Sequence, residues 1–95
     1  MVVALGQITI RIHDCRSLKG KRRVVKSIIS RVCNNFNASV AEVAMNDIYH
    51  KAQIGFSMVG NNRRTINAKA DKLFNFVEEL GLAEVMETEL EIVNT

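Results

Sequence analysis

Six basic residues crowd the stretch between positions 16 and 26: Arg16, Lys19, Lys21, Arg22, Arg23 and Lys26, with no carboxylate among them. Cations gathered in this way suit phosphate oxygens, which Lys holds as a point charge and Arg as a two-pronged donor. Arg63-Arg64 is a smaller basic pair and a secondary anion site by type. The other reactive residues are sparse. His13, Cys15, Cys33 and His50 match no zinc-ligand spacing, so no metal site is expected. His13, Asp14 and Ser17 contain the residue types of a nucleophile set. Neighbours in sequence do not make a triad, however, which needs a fixed relay and an oxyanion hole. Neither catalysis, a cofactor nor a small-molecule substrate is expected.

The basic cluster dominates an uneven charge distribution. The 95 residues carry a net charge of +3, yet residues 1–35 hold eight Lys/Arg against Asp14 alone, and residues 36–95 hold five against nine Asp/Glu. A chain divided between +7 and −4 has a polarised surface, suited to a polyanion or to an acidic patch on a protein, including another copy of itself. Its length implies one small domain, 1–95. No apolar run is long enough to span a bilayer, and the start MVVALGQITIRIH lacks the basic opening of a signal peptide. Two cysteines are too few for a disulfide framework. They are expected as free thiols in a reducing cytoplasm, with Cys33 a small buried thiol at the edge of a helix stripe.

The elements that position the cluster follow from hydrophobic periodicity. Residues 2–13 alternate as a strand, Ile8, Ile10 and Ile12 on one face. Ser17 is an N-cap for a helix over 17–36, whose apolar stripe is Leu18, Val25, Ile28, Ile29, Val32 and Phe36. Residues 38–45 form a second strand whose buried face the pattern leaves open. Residues 49–59 form a third, with Ala52, Ile54, Phe56 and Met58 inward. Gly60-Asn61-Asn62 leads into a second helix ending at Leu80, with Gly81 as its terminator. A fourth strand, 85–93, sets Met86, Leu90 and Ile92 against Glu87, Glu89 and Glu91.

This order, β-α-β-β-α-β, predicts an α+β ferredoxin-like fold: a four-stranded antiparallel sheet in the order 4-1-3-2 with both helices on one face. Right-handed crossovers place the first helix over the second strand and turn Lys19, Arg22, Arg23 and Lys26 outward, away from the second helix. The acidic flank of that helix, Asp71 and Glu78, looks the opposite way. The four are therefore expected to be exposed and unpaired. Cations at a helix start oppose the macrodipole, a local conflict that points to function. A merely solvated basic face is the competing reading, because Lys and Arg are good helix formers. The open sheet face offers Gln7, Thr9, Arg11, Lys51, Gln53 and Ser57 but no aromatic to stack a base.

The run Ser17-Leu18-Lys19, then Lys21-Arg22-Arg23-Val24-Val25-Lys26-Ser27, resembles the YlxP-like family of small bacterial proteins. His13, Asn37-Ala38-Ser39-Val40-Ala41-Glu42-Val43, Asp47, His50-Lys51-Ala52 and Gly55 extend the resemblance over nearly the whole chain. Gly20 stands where family members often carry Glu. The resemblance implies the same fold and a bacterial cytoplasmic protein without established enzymatic activity. It also implies a link, by gene neighbourhood, to translation initiation and ribosome maturation factors.

The leading expectation is a non-catalytic module that binds RNA or the ribosome through Arg16, Lys19, Lys21, Arg22, Arg23 and Lys26. The alternative is a protein-interaction module that forms a homodimer through the edge of the second strand, its basic helix meeting acidic groups of the partner.

Overall fold

A computed structural model describes residues 1–95 and shows six elements: β1 (Val2–Arg11), α1 (Leu18–Asn35), β2 (Ser39–Ala44), β3 (Lys51–Gly60), α2 (Arg63–Leu80) and β4 (Glu84–Asn94). The sheet order is β2-β3-β1-β4 with all neighbours antiparallel, which is the expected topology. Both helices cover one face. α1 packs over β2, and α2 packs over β1, β3 and β4.

Alternation in β1 and β3 makes the floor of the core. Ala4, Ile8 and Ile10 stand beside Ala52, Ile54, Phe56 and Met58, all buried, and Val25, Ile28 and Val32 close over them with Ile66, Ala70, Leu73 and Val77. Leu18, Ile29 and Phe36, assigned to the same helix stripe, are only half-buried, and Phe36 sets its ring edge-to-face against Phe76 of α2 with centroids 5.4 Å apart. Gly6 sits opposite Phe56 in the β1–β3 register, and a Cβ there would lie 2.2 Å from the Phe56 ring. The ring occupies the space that a side chain would take.

Both helix starts are capped by side chains, α1 by the expected Ser17 and α2 by Asn62. Ser17 Oγ accepts from Gly20 N at 3.0 Å, and Asn62 Oδ1 accepts from Thr65 N at 3.0 Å. Gly81 ends α2 in the left-handed region at φ 67°.

Three expectations are corrected. Met86 does not share a face with Leu90 and Ile92. The pairing of β1 with β4 shifts between Thr9 and Ile10, so Val85 takes the place opposite Ile10 while Met86 is left exposed. β1 stops at Arg11 rather than residue 13, because Asp14 turns into positive φ and the chain leaves the sheet. Cys33 is exposed, not buried: it lies about 100° round the helix from Val32, on the flank that faces solvent. Cys15 is half-buried, and both thiols are free.

Candidate nucleic-acid interface

The flank of α1 is built by its register. Lys21, Val25, Ile28 and Val32, spaced by four, three and four, form the buried face. Arg22, Lys26, Lys19 and Arg23 then fall roughly 90–190° round from that face. All four are exposed, as is Arg16 in the connection before the helix.

The chain contains two ion pairs, and neither involves these five residues. Their charge is not compensated within the molecule. Asp71 and Glu78 on α2 are exposed and equally unpaired, so the helices exchange no salt bridge. One pair joins His13 Nε2 to Glu84 Oε1 at 2.7 Å. Both side chains are more than half exposed, a setting in which such pairs contribute little.

The other pair corrects the list of binding residues. Lys21 does not belong to the exposed cluster: it is wholly buried, the one charged residue in the core. Its Nζ lies 2.8 Å from Glu42 Oε2 and donates to the Met45 carbonyl. The cause is positional. Residue 21 lies one turn before Val25 on the core stripe, so its stem runs under α1 and its ammonium emerges between β2 and the β2–β3 loop. Glu42 faces the helices because it stands opposite Ile54 in the β2–β3 register, which also settles the buried face of β2 as Val40 and Glu42. Lys21 is a clip between elements and presents no charge to a ligand. The spacing 21-25-28-32 was the signal for this; the residue type concealed it.

Lys21 also fixes a loop. Residues 45–50 turn at Met45, whose φ of 65° aims its carbonyl at Lys21 and at the N–H of Ile48, 3.1 Å away. His50 O accepts from Ile12 N at 2.9 Å, tying the far end of the loop to the end of β1. The loop therefore sits beside the start of α1, with Ile48, Tyr49 and His50 exposed.

Arg63 and Arg64 are exposed at the start of α2, at the opposite end of the sheet. Arg63 Nη1 reaches the Ile92 carbonyl at 3.4 Å, so part of its donor capacity is turned toward β4. His13, Asp14 and Ser17 do not form a relay: His13 meets Glu84, and Ser17 caps α1. No three His, Cys, Asp or Glu side chains are grouped as metal ligands. No helix is long and apolar enough to cross a membrane.

A family model described as "Protein of unknown function (DUF503)" matches residues 3–90, nearly the whole chain and all six elements. The chain belongs to the DUF503 family. A relative, the uncharacterized protein YlxP of Bacillus subtilis (strain 168), is 33% identical over 67 residues, covering 70% of this chain and 73% of the relative. The resemblance read from the basic helix is thereby shown. Among solved structures, the structural-genomics protein YJCS aligns over 97% of this chain and 99% of its own, with a TM-score of 0.60 and 13% identity. The de novo designed protein Foldit4 aligns over 99% and 97%, with a TM-score of 0.53 and 15% identity. At these identities the likeness is one of fold alone.

Proposed function

We propose that this DUF503 chain is a non-catalytic RNA- or ribosome-binding module that holds the phosphate backbone with Lys19, Arg22, Arg23 and Lys26, assisted by Arg16. The observation that carries the reading is the absence of any carboxylate partner for five exposed cations on one side of the molecule. Such a surface releases counterions when it meets phosphates, so affinity falls steeply with salt and depends little on base sequence. Binding to structured RNA, measured by anisotropy across a salt series, tests it. The variant Lys19→Ala/Arg22→Ala/Arg23→Ala/Lys26→Ala should lose most affinity at low salt, and its salt slope should be smaller by about 3. Affinity and slope equal to those of the native chain would overturn the reading.

A second reading draws on β2. Glu42, the one charge on this edge strand, is turned to the helix side and neutralised by Lys21. The strand's open face is left with Ser39, Ala41 and Val43, uncharged and exposed. An edge without outward charge is weakly protected against pairing with another chain, and only the bulge at Val43 interrupts it. Sedimentation at high micromolar concentration should show reversible dimers that Val43→Lys abolishes. A monomer at all concentrations removes this reading.

A further inference from the structure

Tyr49 is the chain's only tyrosine, and there is no tryptophan. It is 45% exposed on the β2–β3 loop, its ring and that of His50 set T-shaped with centroids 5.4 Å apart. Aromatic rings that only fill space are drawn into the core, as Phe56 and Phe74 are here by packing on each other. The loop is pinned at Met45 by Lys21 and at His50 by Ile12. Through the same Lys21 contact the loop is fastened to the helix that carries Lys19, Arg22 and Arg23. Asp47 is the loop's single carboxylate and is exposed, so the loop itself is not a phosphate cradle. What it adds near the start of α1 is an exposed aromatic ring.

We infer that Tyr49 is a base-stacking contact for the phosphate-binding flank of α1, so that the preferred ligand is a single-stranded or unpaired stretch of RNA rather than an unbroken duplex. The inference rests on the RNA-binding reading above and adds the ligand's structural class. In an intact duplex the bases are stacked on one another and offer no free face. A single strand can lay its backbone along the cations and turn a base onto the ring. Loss of one such stack weakens single-strand binding about 5- to 150-fold.

The native chain reports on itself. Tyrosine emission comes from Tyr49 alone, and it should be quenched by a short single-stranded RNA in step with the anisotropy change of a labelled strand. A blunt RNA duplex of the same length should leave it unaltered. Tyr49→Ala should lose the preference for the single strand while keeping its duplex affinity, and Tyr49→Phe should retain both. Unchanged emission during demonstrated single-strand binding overturns the inference and leaves the RNA reading intact. So does a Tyr49→Ala variant that binds both forms like the native chain, or weakens both equally. If neither RNA form binds at low salt, the proposed function fails and this inference with it.

Discussion

Lys21 shows how position and residue type compete within one helix. By type it joins the basic run; by position it belongs with Val25, Ile28 and Val32, and position wins because the stem packs in the core while Glu42 and a carbonyl receive the charge. A buried pair is costly to break, since the survivor keeps a charge without water or partner. Lys21→Met should destabilise the fold by about 3 kcal/mol, the lower end of the roughly 3–5 kcal/mol that breaking a buried pair costs, because the Glu42 side chain remains 17% exposed. The double variant Lys21→Met/Glu42→Leu should return to within about 1 kcal/mol of the native chain, since apolar replacements remove both desolvation costs. Urea denaturation measures both. A single variant as stable as the native chain would mean the pair holds nothing together. The other cations were legible from the sequence because nothing but solvent competes for them: Lys19, Arg22, Arg23 and Lys26 are exposed, as the helical wheel requires.

At the scale of elements, topology was legible and phase was not. Strand and helix order followed from period-2 and period-3.6 patterns that β1, α1, β3 and α2 display over most of their length. The edge strands were harder. Each carries a bulge, at Val43 in β2 and at Met86 in β4, and one extra residue reverses which side chains face inward. No residue type marks either bulge, so Met86 read as core and the buried face of β2 could not be chosen. Gly6 is a second case of hidden cause. It interrupts the apolar alternation of β1, and only the ring of Phe56 lying across it explains why. Gly6→Ala forces that ring aside and should cost about 1–3 kcal/mol by overpacking. Gly81→Ala meets no neighbour, yet holds alanine in the left-handed region and should cost about 1 kcal/mol. Thermal denaturation distinguishes the two, because Gly6→Ala/Phe56→Leu should recover part of the first loss and leave the second untouched.

Across the whole molecule the charges are sorted by edge and by face. The basic flank lies on the helix side at the β2 edge, and Glu87, Glu89 and Glu91 line the β4 edge, exposed. Three strand spacings and one helix–sheet layer put them roughly 15–20 Å apart. That distance decides what the acidic lane can do to a polyanion on α1. At 0.15 M salt the screening length is about 8 Å, so the glutamates are nearly invisible from the basic flank; at 0.01 M it is about 30 Å, and they would repel a polyanion held there. Glu87→Gln/Glu89→Gln/Glu91→Gln should therefore strengthen RNA binding severalfold at the lower salt and leave it unchanged at the higher. A large gain at both would place the acidic lane inside the contact, with the ligand crossing the sheet edge rather than tracking α1. A loss instead of a gain would mean that the glutamates supply attraction. It would favour the assembly reading, in which they meet the basic flank of a second copy.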